Sequence, residues 1–537
     1  MKKIFAAPLE LLRAVRWAYV PLFLGYFAHA FSGMFGMGSG LTTIPADFWI
    51  QQRLGISPEA LAFMSFTISL PWISKIIIGQ LVDSWTIKKR KRVLFFSGTI
   101  MMGGFVLLAA LAGEYGWLMK LQPAFFADPV SFRIFFLTLG YLLVSATMCL
   151  QDVILDPMGR HLVSKAGANG QPLSDKDYQY KVGLVQVWCR ISFNVASILG
   201  MTVAGIMMAR GVQMDGIFLA ALCVPVMTVL LIQFIRLPHD VEPVGVNKRI
   251  IIPALCLIVF AIITQLKNVP FSEEATFLIT LGVVIYLIRA LQKKSVISPE
   301  DQRSLLFTAA TLSCLAIVPG VGNGVSWWMR DELGFTRQFE TQLGVFGGIL
   351  SLVLLFFVYR MILRGHLGYV LCGMIILFSA FGSITLMFWH GVHVWLGSLL
   401  GVDPLIVVRW VTWINTAASS PMALLYGMIM FIFLAQYAND KGTATWFTVF
   451  AVLFNLSMSG SNLLTGYLNR IFVVKQGEYD ALGNLISPGN YTELGNILWT
   501  SWVIGLMFPL IAILLFYTPW RKSSDPIAYT LWRRFKK

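Results

Sequence analysis

Apolar runs of 17 or more residues recur from one end of the chain to the other, broken by short polar or charged segments. Each is long enough to cross a hydrocarbon core of roughly 30 Å at about 1.5 Å per residue. The pattern predicts spans at 18–45, 59–84, 93–113, 132–155, 182–209, 216–235, 250–266, 275–291, 304–328, 342–363, 367–389, 405–437, 444–471 and 495–519, about fourteen in all. The expected fold class is an all-α polytopic membrane protein. Residues 1–17 read as an amphipathic lead-in on the membrane surface, running into an uncleaved first span. The runs at 250–266 and 275–291 are near the minimum length and either cross the bilayer or lie along it. Without them the chain divides into six spans at 18–236 and six at 304–519. These are joined by a basic connector, 237–303, that carries the two extra hydrophobic helices, and a basic tail follows at 520–537.

Composition sharpens this reading. Of the 537 residues, 57% are hydrophobic and only 12% charged, against a usual charged share of about 25%, which excludes an ordinary soluble enzyme. The formal charge of +15, from 41 Lys+Arg against 26 Asp+Glu, would in a soluble chain raise the question of nucleic acid. Here topology explains it. With the N-terminus in the cytosol, 29 of the basic residues fall in cytosolic segments, 10 near the other face and 2 within spans. The bias places both termini inside and favours a bacterial inner membrane. All six cysteines lie in apolar segments, so no disulfide framework or paired-cysteine metal site is encoded. There is no nucleotide-binding glycine loop, no metal-spaced His/Cys cluster and no nucleophile elbow. The sequence therefore predicts no cofactor, no metal and no enzymatic activity.

An internal echo supports two halves. Leu54-Gly55-Ile56-Ser57 introduces the second span of the first half, and Leu333-Gly334-Phe335-Thr336 introduces the second span of the other, an offset of 279 residues. Helix breaks at equivalent places in two halves point to the site of a transporter. The first span carries Gly33, Gly36, Gly38 and Gly40, and the first span of the second half carries Pro319-Gly320-Val321-Gly322-Asn323-Gly324. Gly36, Gly40 and Asn323 are therefore candidate binding positions, although the glycines equally serve close helix packing. Trp327 and Trp328, just after the second break, are either interfacial anchors or a stacking surface for an aromatic ligand.

Charges inside the spans are the second pointer, since each costs at least about 2.5 to 3.5 kcal/mol at a helix centre unless it faces a cavity or a partner. Lys75 and Arg190 stand at similar depth, roughly 12 to 14 Å above the cytosolic surface. Two cations at one depth suggest an anionic ligand; alternatively Lys75 pairs with Asp152 and the two fix helix packing. Asp152 and Asp156 are four apart on one helix face, Asp83 ends the second span, and Lys88-Lys89-Arg90-Lys91-Arg92 adjoins it. Acids facing bases at the cytosolic mouth, with Asp83 and Arg92 among them, read as a latch holding one alternating-access state. A protonatable Asp152 offers coupling to a proton gradient. His29 reads as a hydrogen-bonded core histidine before a proton carrier, and Asn455, Asn462 and Asn469 share a helix face that suits a cavity wall or interhelical hydrogen bonds.

Several of these residues carry a family resemblance. Leu54-Gly55-Ile56-Ser57-Pro58 followed by Leu70-Pro71-Trp72-Ile73-Ser74-Lys75, Gly79 and Asp83 resembles the signature of the folate-biopterin transporter family, a branch of the major facilitator superfamily. Gln151-Asp152-Val153-Ile154-Leu155-Asp156 resembles its paired-aspartate motif, Asp331-Glu332-Leu333-Gly334-Phe335 its seventh-to-eighth helix link, and Lys441-Gly442-Thr443 through Asn455 to Gly466 its eleventh helix. The chain departs from the family at Ile76, where proline is usual, at Pro157, where alanine is usual, and at Gly159-Arg160-His161, where an acidic residue is expected. The paired-aspartate stretch is equally similar to muropeptide permeases and acetyl-CoA transporters. The resemblance implies a major facilitator fold of two six-helix bundles plus two inserted helices. It also implies a monomeric secondary transporter, a symporter in the proton-coupled case, for a bulky, folate- or pterin-like organic anion. The competing expectation is a non-transporting membrane scaffold of the same fold.

Overall fold

The computed structural model describes residues 17–33, 39–122, 128–165, 171–232, 271–292, 316–363, 380–437, 443–479 and 485–517, together with isolated positions between 243 and 260, at 313–314 and at 377. The lead-in, Gly36, most of the connector and the basic tail lie outside them. Among the described residues, six helices are long and apolar enough to cross a membrane: Pro58–Asp83, Lys88–Ala112, Pro129–His161, Asp177–Ala209, Arg337–Phe357 and Leu494–Ile511. The chain is a multi-pass integral membrane protein.

The first span is broken. Helix α1 (Val20–Ser32) ends at Gly33, whose φ of 63° only glycine adopts readily, and the chain resumes as α2 (Thr43–Trp49), whose end is widened into a π turn over Ile50–Leu54. The loop folds back on the helix end: Leu41 N donates to Phe31 O at 2.9 Å and Thr42 N to Ser32 O at 2.8 Å. Gly40 belongs to this crossing. A Cβ there would stand 2.3 Å from Gly33 N, so the residue lets two backbone arms touch. Helices α3 (Pro58–Ile73) and α4 (Lys75–Asp83) form the second span, with Pro71 and the turn at Ser74 between their axes. Then follow α5 (Ile87–Ala112), α6 (Pro129–His161), α7 (Asp175–Ala209), α8 (Met214–Ala220) and α9 (Cys223–Ile232).

The 279-residue echo repeats as structure. Gly55 and Gly334 share φ values of 65° and 64°, and each is followed by a helix cap: Ser57 Oγ accepts from Ala60 N and Thr336 Oγ1 from Phe339 N, both at 3.2 Å. The second half also begins with a break. Residues 319–322 are non-helical, Gly322 has φ 75°, and α11 (Asn323–Asp331) resumes before α12 (Arg337–Leu363). Neighbouring helices satisfy the open backbone there: Thr465 Oγ1 accepts from Gly320 N at 2.8 Å, and Ser501 Oγ donates to Pro319 O at 2.6 Å.

From the connector the described helix is α10 (Ser272–Gln292). The second half continues with α13 (Val392–Leu400), α14 (Pro404–Tyr437), α15 (Thr443–Ile471) and α16 (Leu494–Tyr517). The sequence pattern predicts a span at 405–437 and nothing at 392–400. There α13 lies at 111° to α14, held between the left-handed glycines Gly391 and Gly401. A two-stranded antiparallel ribbon, β1 (Glu478–Tyr479) with β2 (Leu485–Ser487), precedes α16 and is likewise absent from the apolar pattern.

The halves meet along two helix pairs, α3 with α15 and α7 with α12, and α4 and α14 extend these seams. Ser69 and Ser459 are hydrogen-bonded at 2.6 Å across the first pair, and Asn455 Nδ2 donates to Trp72 O at 3.3 Å. Leu355, Tyr359, Leu425 and Ala451 of the second half join one buried cluster with Leu22, Val82, Leu155 and Val185 of the first. Apolar packing thus closes the seam toward the basic face, the one that carries Lys88–Arg92. Helix α10 packs on α15, and its Val284 shares a small core with Ile73, Ile76, Val452 and Leu456, next to Lys75.

Candidate functional site

Two polar centres interrupt this apolar packing, one inside the first half and one between the halves on the face opposite the basic loops.

The inner centre is assembled by α1, α4, α6 and α7. Pro71, Trp72 and Lys75 act together. The indole N–H of Trp72 donates to Ser145 Oγ at 2.9 Å, Cys149 Sγ donates to the Pro71 carbonyl at 3.1 Å, and Lys75 Nζ lies 4.5 Å from the Trp72 ring centroid. Lys75, 2% exposed, forms an ion pair with Asp152, the alternative partner expected from the sequence. One turn on, Asp156 accepts from the hydroxyl of Tyr26. The Arg190 guanidinium stands 5.6 Å from the Tyr26 ring and 5.8 Å from the Phe193 ring. His29, one turn beyond Tyr26, is buried within electrostatic reach of Asp152, Lys75 and Arg190. Lys75, Arg190, Asp152 and Asp156 therefore belong to one cluster.

Buried polar atoms without partners among the described residues share the helix face that carries Arg190. Gln186, Arg190 and Asn194 follow at four-residue spacing on one face of α7. The side chain of Gln186 is fully buried, with neither amide atom hydrogen-bonded among the described residues, and His29 Nε2 and Asn194 Nδ2 are in the same position. Buried polar groups are nearly always paired in folded proteins, so this face is suited to a polar partner. Sequence reasoning missed Tyr26, Gln186 and Asn194. The four-residue polar spacing along an apolar helix was the signal that could have found the last two.

The expected latch at the basic face has a different form. Asp83 is buried, but the base beside it is Arg90, 1% exposed, whose Nε donates to Val82 O at 3.0 Å and Trp85 O at 3.2 Å. Arg92 is exposed. Each of these contacts, like Lys75–Asp152 and Asp156–Tyr26, lies within the first half, so they tie helices of one bundle together.

Among the described residues, ionic contacts between the halves are found on the opposite face. Arg330 of α11 holds Asp47 of α2 at 2.6 Å and Glu340 of α12 through two bonds of 2.7 and 2.8 Å. It also donates to Gln51 Oε1 at 2.8 Å and lies 3.7 Å from the Phe48 ring centroid. Gln51 and Arg330 are 279 residues apart, so equivalent positions of the repeat touch, as residues near a two-fold axis should. Asn323 Nδ2 donates to Asp47 Oδ1 at 2.6 Å, and Arg337 donates to Gln52. Asn323 is thus engaged in this inter-half network. Asp331 accepts from Tyr479, Tyr491, Gln51 Nε2 at 3.2 Å and Gly477 N at 3.3 Å. Burial first, and then the Asp331 carboxylate, raise both phenols well above the ordinary tyrosine range, so each remains an O–H donor. At the rim, Arg470 pairs with Glu59 at 2.7 Å. Trp327 has no exposed surface and packs in the core beneath this network, so it offers no face to a ligand in this state.

No family model matches the sequence, and no curated protein matches it. Solved structures do. The chain is similar to an auto-inhibited POT-family peptide transporter, at 12% identity over 95% of this chain and 99% of that one, with a TM-score of 0.55. It is similar to a bacterial homologue of the iron transporter ferroportin in an outward-facing state, at 13% identity over 93% and 99%, with a TM-score of 0.51. It is also similar to the xylose transporter XylE from E. coli in a partially occluded inward-open conformation, at 11% identity over 93% and 97%, with a TM-score of 0.51. The chain has the major facilitator fold.

Proposed function

We propose that this protein is a secondary active transporter that carries an organic anion together with a proton by alternating access, in a bacterial inner membrane and as a monomer. The observation that carries the reading is the buried cluster of Lys75, Arg190, Asp152 and Asp156, with the unpaired amide of Gln186 and the unpaired Nδ2 of Asn194 on the helix face that carries Arg190. Two cations and two carboxylates balance when both acids are ionised. Taking up one proton leaves a net positive charge, which a monoanion neutralises, so a proton and an anion entering together cost less than either alone. Folate- and pterin-like compounds are the substrate class that the family resemblance suggests. That proteins of similar fold are transporters of peptides, iron and xylose supports transport in general.

The experiment is uptake by proteoliposomes under an imposed proton gradient, across pteridines, folates, muropeptides, acyl-CoAs and smaller organic anions. Lys75→Ala and Arg190→Ala should each abolish uptake measured per amount of folded protein in the vesicles, since removing one partner of a buried pair also lowers stability. Normal transport by both variants would overturn the assignment. Silence across the panel with a stoichiometric membrane partner retained through purification would favour the scaffold.

A further inference from the structure

A polar cavity opens beside the inter-half network. It measures about 870 Å³ and lies between the outer ends of α2, α5, α6 and α8, with the head of α12 at its edge. Three arginines line it, Arg53, Arg133 and Arg337, with two acids, Glu114 and Asp215.

The acids do not neutralise all the bases. Arg133 is taken up by Glu114 at 3.7 Å and by the Arg53 carbonyl at 3.2 Å, and Asp215 accepts from the Tyr115 hydroxyl at 3.3 Å. Arg337 donates to the neutral side-chain amide of Gln52 and stands 5.4 Å from the Phe48 ring. The Arg53 side chain has no hydrogen-bond or ion-pair partner among the described residues. Two exposed guanidinium groups therefore share one cavity wall without an ion-pair partner among the described residues, in a lining of three bases and two acids, with the side-chain amides of Gln52 and Gln213 beside them. Backbone geometry contributes as well. Arg53 is on the widened π turn Ile50–Leu54 that ends α2, the kind of local unwinding that re-aims side chains at functional sites.

We propose that this cavity is an anion-binding site for a carboxylate or phosphate group presented from the non-cytosolic side, held by Arg53 and Arg337. Planar guanidinium groups suit both anions, because their paired N–H donors match two oxygens at once. Arg53 belongs to the first half and Arg337 to the second, and their neighbours Gln51, Gln52 and Arg330 form the network that closes this face. An anion spanning them adds a link between the halves in the closed arrangement only, so it favours that state by its differential affinity. Anion binding here does not depend on the central cluster; its bias toward the closed arrangement rests on the alternating-access reading.

The test is thermal unfolding of the full-length protein in detergent with inorganic phosphate or succinate, against chloride at matched ionic strength. A parallel arm uses nanodiscs of anionic against zwitterionic lipid. The proteins are the wild type, Arg53→Gln, Arg53→Gln/Arg337→Gln and Lys75→Gln. Arg53→Gln is the informative variant if the double one fails to fold, because the Arg53 side chain makes no contact the fold relies on. The expected result is a rise in the wild-type midpoint that saturates with anion, persists in Lys75→Gln and is lost in Arg53→Gln. A rise with the soluble anions identifies a free solute, and one confined to anionic nanodiscs identifies a lipid headgroup. The same rise in Arg53→Gln as in the wild type, or no rise with any probe, overturns the proposal.

Discussion

Replacing Lys75 by alanine leaves Asp152 charged and alone in a buried setting, a loss of about 3 to 5 kcal/mol where a buried pair is broken from one side. Replacing both partners by apolar residues of similar size, Lys75→Met with Asp152→Leu, removes that penalty. The double variant should recover most of the thermal stability lost by Lys75→Ala, yet show no uptake in proteoliposomes. Recovery of transport along with stability would reduce the pair to a packing device. Gln186 makes the complementary case. Its amide is buried without a hydrogen-bond partner among the described residues, so Gln186→Leu should leave stability unchanged or raise it by about 1 to 3 kcal/mol. Uptake should fall if the amide meets the substrate. A variant that is less stable with normal uptake would show that the amide has a structural partner.

At the scale of elements, the glycines separate into two kinds with different expected costs. Gly55 and Gly334 have left-handed backbones with nothing within 4 Å of a built Cβ, so alanine at either meets only the backbone penalty of about 1 to 2 kcal/mol. Gly200 is helical, but a Cβ there would stand 2.3 Å from the Phe31 carbonyl oxygen. Gly200→Ala should therefore lower the unfolding midpoint well beyond Gly55→Ala, because α7 must move away from the end of α1. Equal midpoints would mean that this helix contact yields easily. Here the repeat was legible beforehand: the Leu-Gly-x-Ser/Thr echo marks a left-handed residue and a helix cap, both properties of a short segment. Helix α13 and the β1–β2 ribbon were not legible, since α13 is too short to read as a span and the ribbon gains its role from contact with Asp331.

For the whole molecule, the inter-half network implies that opening this face must separate Asp47 from Arg330 and Glu59 from Arg470. Arg330→Gln weakens the larger link while keeping a side chain of similar reach. Spin labels at Glu114→Cys in the first half and Ser398→Cys in the second, in protein whose six native cysteines are replaced, should report a longer outer-face distance in Arg330→Gln. An unchanged distance distribution would mean that apolar packing alone holds the face closed. Asp152→Asn tests coupling at the same scale: uptake should lose its dependence on the proton gradient before it loses substrate binding, checked by comparing gradient-driven uptake with exchange.

The membrane class, the all-α fold, the Gly55 and Gly334 echo and the charged residues Lys75, Arg190, Asp152 and Asp156 within apolar runs were legible in the sequence itself. An ionisable group in an apolar run is costly wherever the run is buried, so its importance follows from its own surroundings in the chain. Only the tertiary structure decided which groups face each other. Asp47 and Arg330 are 283 residues apart, and Tyr26 and Asp156 are 130 apart; no local pattern encodes either pairing. The sequence reading looked for the latch at the basic loops, where charge is dense, but exposed charges such as Arg92 are solvated and hold little. Among the described residues, the ionic contacts between the halves are on the opposite face, where the pieces after the two helix breaks converge and acid, base and amide side chains are withdrawn from water together.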